Sequence, residues 1–458
     1  MRILIKNGVV VTDGTKFRAD VFVEDGKIAK IAENIRDEAD NVIDAENCYV
    51  MPGFIDTHTH FDLDLGVTVT ADNFKTGTKA AVVGGTTTVL DFATQDRGMS
   101  MQDALDLWHK KAQESSCNYG FHMAVSEWND DRIAEIDRMI EQGVTSFKMY
   151  MVYDNMLVDD GAMYDALKRT AGKDCIIGVH CENYQILQKR IKEVKELGIL
   201  DPNGHPFSRP NIVEAEAVNR LMRIAEIANA PAWVVHLSTK EGLEEAKRAR
   251  ERGQEVYLET CPQYVTLDDT CFAKPDGAKY VMSPPPRKVE DEEAILEGMH
   301  NNDIDFIGTD HCSFTMEQKA IGKDDFTKIP NGGAGVQNRA QVIYSRAVLT
   351  KKITIEQMSD LMSTKAAKVF GMYPERGTIR EGSAADIVVF DPNKEDVISY
   401  RTNLHNCDNS PYEGMETIGL TKDVVLNGEV VVENGKLIQE GKGKYIFRGK
   451  SLRPNKDE

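Results

Sequence analysis

Gly53-Phe54-Ile55-Asp56-Thr57-His58-Thr59-His60 is an apolar run that ends in two histidines one residue apart. On a β-strand residues i and i+2 share a face, so His58 and His60 aim both imidazoles into one cavity. Neutral imidazole is the commonest protein metal ligand, and one pair leaves a divalent ion under-coordinated. Further ligands have to come from other strands. Taken alone, a His-x-His fits a solvated or core pair equally well; the rest of the chain decides.

Working outward, strand alternates with amphipathic helix. Candidate strands cover residues 54–60, 87–92, 119–125, 146–151, 176–181, 233–237, 255–261 and 306–310. Between them, segments 101–114, 133–143, 212–227, 242–253 and 290–300 carry apolar residues at helical spacing. This α/β alternation predicts a TIM-like (β/α)8 barrel, with an open doubly wound sheet as the alternative. Residues 353–371 read as a helix or helix pair that closes it.

The two chain ends have a different style. Segments 3–11, 20–24 and 27–31 read as strands, the last two joined by Asp25-Gly26, a favoured hairpin turn. Past the barrel, 385–391, 423–426 and 429–433 are punctuated by Asn427-Gly428 and Asn434-Gly435. Isolated ribbons are marginal, so the ends are expected to pair into one small β domain; two separate hairpins are the alternative. The expected division is that β domain from 1–51 plus 375–440, a barrel over 52–374, and a tail over 441–458.

The chain has 458 residues and a net charge of −19, with a pI near 5.1. Like charge argues against nucleic acid or an anionic membrane as partner. No apolar run reaches the length of a membrane span, and Met1-Arg2-Ile3-Leu4-Ile5-Lys6 begins a strand rather than a secretory signal, so the expected location is cytoplasmic. The eight cysteines include no Cys-x-x-Cys pair and read as reduced, buried thiols.

Barrel chemistry sits at the C-terminal ends of strands. His58 and His60 end the first candidate strand, Lys148 lies in the fourth, His180 ends the fifth, and His236 and Asp310 belong to the sixth and eighth. Their convergence on one rim argues for a metal site. His109, His122, His205, His300 and His405 receive no role.

At these residues the sequence resembles the dihydropyrimidinase and hydantoinase group of the metal-dependent amidohydrolases. The resemblance is carried by residues 52–60 with Gly84-Gly85-Thr86-Thr87-Thr88, and by Ser146-Phe147-Lys148-Met149-Tyr150-Met151-Val152-Tyr153. Val179-His180-Cys181-Glu182-Asn183, Val235-His236-Leu237-Ser238, residues 259–264 and 282–287, Gly308-Thr309-Asp310-His311 and Asn331-Gly332-Gly333 follow in the family's order. The resemblance implies hydrolysis of hydantoins or 5,6-dihydropyrimidines, small cyclic ureides, to N-carbamoyl amino acids by a hydroxide shared between two divalent ions, usually zinc. It places His58, His60 and Asp310 on one ion and His180 and His236 on the other, with Lys148, carboxylated to N6-carboxylysine, as the bridge. A plain ammonium there would be repelled by two dications, and carbamylation reverses its sign.

The resemblance also makes Asp310 the proton shuttle and Tyr153 the donor to the developing oxyanion, and gives the backbone at Ser283 and Asn331 the grip on the ring. It implies that the domain built from both chain ends is a small β-sandwich, and it implies a homotetramer built as a dimer of dimers, with the C-terminal tail in assembly. His311 reads either as orienting a ligand or as structural. Phe61-Asp62-Leu63-Asp64-Leu65 and Asp154-Asn155-Met156-Leu157 fall on mouth loops, where the acidic residues are expected to disfavour anionic substrates. A dihydroorotase- or allantoinase-like enzyme is the second reading, opposed by Asp62 where relatives of that kind hold a carboxylate. A metal-free scaffold like the collapsin-response-mediator relatives is the third.

Overall fold

In a computed structural model describing residues 1–453, eight parallel strands follow one another in chain order: Phe54–Thr59, Thr86–Thr94, Asn118–Ala124, Ser146–Tyr150, Ile176–His180, Ala232–Val234, Val256–Thr260 and Phe306–Ile307. Each pairs with the next. The seam between the eighth strand and the first is closed by other means. The buried Arg339 Nη1 donates to Ile55 O at 2.8 Å and to Ile307 O at 2.7 Å. On the rim above it, the His311 N–H donates to His58 O at 3.3 Å and His311 O accepts from the His60 N–H at 2.8 Å. The barrel therefore closes as the alternation predicts.

Helices return the chain on the outside. Phe74–Val83, Met101–Lys111, Asp130–Glu141, Asp160–Thr170, Tyr184–Glu196 and Lys240–Glu251 each start at a side chain that accepts an orphan first-turn amide: Asn73, Ser100, Asn129, Asp159, Asn183 and Thr239. Their apolar faces pack on the strands in one continuous core that includes Val89, Phe121, Met149, Val179 and Leu258. Residues 353–371 form one helical run rather than a pair, Ile355–Ser359 through Lys365–Val369 with a wide turn at Asp360–Thr364.

The chain ends pair with each other. Ile387–Val397 lies antiparallel to Tyr49–Pro52 in a seven-stranded sheet, and a four-stranded sheet of N-terminal strands faces it. Ile3, Ile5, Val21 and Val23 from one sheet meet Val50, Ile387, Val389 and Val425 from the other, which makes a sandwich. The turn dipeptides behave as expected: Asp25 and Gly26 have φ of 50° and 81°, and Asn427 and Gly428 have 51° and 80°, the left-handed pairs that a tight hairpin requires. The expected single strand over 3–11 is corrected to two, Arg2–Lys6 and Val9–Thr12. Asn7, at φ 66°, breaks it and moves the second piece into the other sheet.

Residues 441–453 strap the end of the barrel where strands begin. Tyr445 bridges to Tyr119, Arg448 Nη1 donates to Ser146 Oγ at 2.7 Å, and Arg453 Nη1 donates to Cys175 O at 3.0 Å. The rest of the expected tail, 454–458, lies outside the described residues.

Candidate metal centre

His58, His60, His180, His236, Lys148 and Asp310 all come together on the rim where the strands end. The ring centroids of His58 and His60 are 5.2 Å apart, those of His58 and His236 5.3 Å, and those of His180 and His236 4.5 Å. Asp310 Oδ1 lies 3.2 Å from both His58 Nε2 and His60 Nε2. Ligand atoms of His58, His236 and Asp310 all fall within 4.8 Å of one another. Lys148 Nζ sits 4.8 Å above the Phe92 ring and 5.1 Å from that of Tyr150. Burial pulls this amine down to about 8, and its charge in turn helps hold His58, His180 and His236 below the ordinary imidazole value, after burial itself.

Two ligand positions differ from the strand ends the sequence suggested. The sixth strand stops at Val234 and the eighth at Ile307, so His236 and Asp310 stand on the loops beyond. Both take left-handed backbone, φ 40° and 52°, a conformation non-glycine residues adopt at a cost and one that clusters at functional sites. The turn re-aims each side chain inward after its strand has ended. Hydrogen bonds hold the geometry: the Thr309 N–H and Oγ1 donate to Asp56 at 3.0 and 2.7 Å. Tyr153 is a third such residue, at φ 72°, with its ring 5.3 Å from that of His180.

Sequence reasoning assigned no role to the carboxylates behind the imidazoles. Glu259 accepts from Thr57 Oγ1 at 2.6 Å and from the His236 N–H at 3.2 Å, and its Oε1 lies 2.6 Å from His58 Nδ1. With Nδ1 as the donor, Nε2 turns a lone pair inward. Burial pushes the Glu259 carboxyl up to about 8, against the Thr57 hydroxyl and the Lys148 charge. Glu182 does the corresponding work for His180, 2.7 Å from its Nε2, and is itself held by Arg209 Nη1 at 2.6 Å. The available signals were a glutamate inside the apolar strand Val256–Thr260 and another two residues past His180, on the same side of an extended chain.

His58 Nε2, His60 Nδ1 and His236 Nδ1 are buried without a hydrogen-bond partner. Orphaned imidazole nitrogens are costly unless something else satisfies them, and the four imidazoles with Asp310 and Lys148 form a donor set of the kind divalent metals take, His60 turning Nε2 rather than the orphaned Nδ1 toward Asp310. The residues fit a metal centre. His311 does not point at it. Its Nε2 is 3.0 Å from Asp72 Oδ2 and its Nδ1 accepts from the Gly335 N–H at 3.1 Å, so its side chain anchors the loop while its backbone ties His58 to His60.

A cavity of about 530 Å³ is walled by Tyr153, Asp154, Asn155, Leu65, Arg209 and Asn331 among others; none of the six ligand candidates lines it, and Tyr153, packed on His180, and Arg209, bonded to Glu182, link it to the centre. Asn331 Oδ1 is buried and unpartnered, and the buried Ser283 side chain acts on the Tyr153 phenol. The expected acidic mouth is corrected. Asp62 turns away, accepting from the Phe74 N–H at 3.0 Å at the start of a helix, and Asp64 accepts from the Gly66 N–H at 2.7 Å in its own turn. Only Asp154 of the three reaches the cavity wall, where its carboxylate is engaged by the Tyr184 hydroxyl.

The family model described as the amidohydrolase family matches residues 49–431. A D-hydantoinase of Geobacillus stearothermophilus is 41% identical over 454 residues, 98% of this chain and 96% of that one. A D-hydantoinase of Streptomyces coelicolor is 42% identical, covering 98% of each chain. Among solved structures, the dihydropyrimidinase from Brevibacillus agri NCHU1002 superposes with a TM-score of 0.97 at 40% identity, over 99% of this chain and 100% of that one. Fold, rim and full-length similarity agree, and the chain belongs to the amidohydrolase family.

Proposed function

We propose that this chain opens the cyclic amide bond of hydantoins or 5,6-dihydropyrimidines to N-carbamoyl amino acids at a centre of two divalent metal ions, zinc by preference. The observation that carries the reading is the cluster of four imidazoles around Asp310 and Lys148, three of their nitrogens buried and unpartnered, with Tyr153 packed on His180 and also walling a cavity in the size range of small-molecule sites. Full-length similarity to proteins named D-hydantoinase and dihydropyrimidinase supports the ring class.

In this reading His58, His60 and Asp310 hold one ion, His180 and His236 the other, and Lys148 bridges them as N6-carboxylysine. Its buried setting favours the neutral amine that reacts with CO2. Ions so held supply Lewis-acid polarisation of the ring carbonyl and lower the pKa of an attacking water toward about 7. Asp310 takes the proton of that water on a carboxylate oxygen and delivers it to the ring nitrogen as the C–N bond breaks. Burial holds the Tyr153 phenol well above its ordinary value, so it stays protonated and donates to the carbonyl oxygen as charge develops there. The backbone at Ser283 and Asn331 grips the alternating N–H and C=O edge of the ring.

The division into a 1–51 plus 375–440 sandwich, a 52–374 barrel and a tail belongs to the same reading, as does assembly into a dimer of dimers. Cytoplasmic placement is supported by eight buried free thiols; no helix among the described residues is long and apolar enough to cross a membrane. A metal-free scaffold is opposed by the orphaned imidazoles. A dihydroorotase-like activity loses its main objection, because Asp62 faces a helix and not the cavity. The test is a hydrolysis screen of metal-replete enzyme on hydantoin, dihydrouracil, dihydroorotate and allantoin. Hydantoin or dihydrouracil should open fastest at equal concentration; faster opening of dihydroorotate or allantoin would move the chain to that branch of the family.

A further inference from the structure

The segments that carry Ser283 and Asn331 are distant in sequence, yet a lysine outside the reaction draws them to one point. Lys319 ends the short helix Met316–Lys319 and is 1% exposed. Its Nζ donates to Val281 O at 2.8 Å, Pro330 O at 2.6 Å and Gly332 O at 2.7 Å. An ammonium has three donors and no acceptor, so these carbonyls use its whole capacity. Among the described residues Lys319 forms no ion pair with a carboxylate; Cys312 and Cys407 are the acidic groups that act on it, and the Phe314 ring lies 5.5 Å away. Burial draws the amine down to about 7, while three carbonyls that only accept favour the ammonium, the form with three protons to donate. A buried, unpaired charge is costly unless its hydrogen bonds are complete, and here they are.

The three carbonyls frame both gripping segments. Asn331 sits between Pro330 and Gly332, and Ser283 is two residues past Val281. Val281 O also accepts from the Gly332 N–H at 2.9 Å, so the two segments touch directly beside the ammonium. Among the described residues, Lys319 is the donor to Pro330 O and Gly332 O. The loop has no slack on its far side: Gly332 has φ 146°, and a Cβ there would lie 2.2 Å from Cys312 O. On the segments so held, Asn331 Oδ1 is unpartnered and the Ser283 side chain acts on the Tyr153 phenol.

We infer that Lys319 is a positioning residue for ring binding: by gathering three carbonyls onto one Nζ, it fixes the spacing of the Ser283 and Asn331 backbones that grip the substrate. The inference rests on the proposed grip at those two positions. It separates binding from chemistry, because the ammonium contacts neither the imidazoles nor Asp310 nor Tyr153. Removing it loosens a grip made equally in ground and transition states, which raises KM and spares kcat.

The test compares wild-type enzyme with Lys319→Met, a chain of similar length without donors, and Lys319→Arg, which keeps the charge but cannot place three protons on the same carbonyls. Each is assayed with hydantoin and dihydrouracil, and bound metal is counted. The expected result is KM raised about tenfold or more in Lys319→Met and less in Lys319→Arg, with kcat within about threefold and metal content unchanged. An unchanged KM in a folded, metal-loaded variant overturns the inference, as does a fall in kcat alone. If Lys319→Met does not fold, Lys319→Arg is read by the same criteria; failure of both to fold assigns Lys319 to the scaffold and overturns it too. A crystal structure of the wild type with hydantoin separates the underlying reading: a ring that does not touch residues 283 and 331 defeats the grip itself, whatever the variants do.

Discussion

Beneath Tyr153, His58 and His180 each lean on a buried carboxylate, Glu259 and Glu182, with Arg209 behind the second. Above it, the acidic side chains of the mouth are engaged by turns, a helix end and a tyrosine, through Asp64, Asp62 and Asp154. The floor is a hydrogen-bonded network inside a packed barrel, in which Glu259 and Glu182 fix the imidazoles they touch. The mouth is local chemistry on half-exposed loops. Reaction type is therefore set in the floor, where one change propagates through neighbours that cannot re-pair. Selectivity is set in the mouth, where side chains are replaceable one at a time.

Substitutions in the two regions should separate by magnitude. Lys148→Ala removes the proposed bridge: loss of activity should exceed the about 10–100-fold typical of a supporting partner, and elemental analysis should find fewer than two ions per chain. A small exogenous carboxylic acid should restore part of both; full activity without added acid would erase the bridge from the account. Tyr153→Phe should lower kcat by about 10² to 10³ with metal content intact, and an unchanged kcat would make the tyrosine packing alone. Glu182→Gln should weaken metal affinity by about 10–100-fold in a chelator competition; equal affinity would detach the floor network from the ligands.

Changes in the mouth come last. Leu65→Ala, on the cavity wall, should shift the preference for an apolar 5-substituted hydantoin over hydantoin itself by about tenfold, the scale of a few methylenes in a pocket. Asp62→Asn should leave the dihydroorotate-to-hydantoin rate ratio within about twofold, since this carboxylate accepts from the Phe74 N–H at a helix start rather than facing the cavity. A large rise in that ratio would restore the acidic-mouth argument.

Much of the floor was legible because a barrel strand has a period of two and a defined functional end. His58 and His60 announce themselves by that spacing, and Lys148 stands out as a charge between Phe147 and Met149. His236 and Asp310 were found although their strands were drawn too long, because a left-handed residue past a short strand leaves no pattern of its own. Glu182 and Glu259 lay in view without a role, since orientation of an imidazole depends on partners brought together only by closure of the barrel. The mouth misled for the opposite reason. Asp62 reads as pocket charge in one dimension, and only its φ of 53° shows that it turns toward the next helix. Likewise nothing around Lys319 in sequence points to carbonyls 13 and 38 residues away.

The central claim, that the six rim residues hold two ions and that these run a ring-opening reaction, is tested most directly by titrating metal into chelator-stripped enzyme while following hydantoin and dihydrouracil hydrolysis. Activity should be absent from the stripped protein and return to a plateau at two equivalents of divalent ion per chain. Full ring-opening activity in protein shown by elemental analysis to be metal-free would contradict the account.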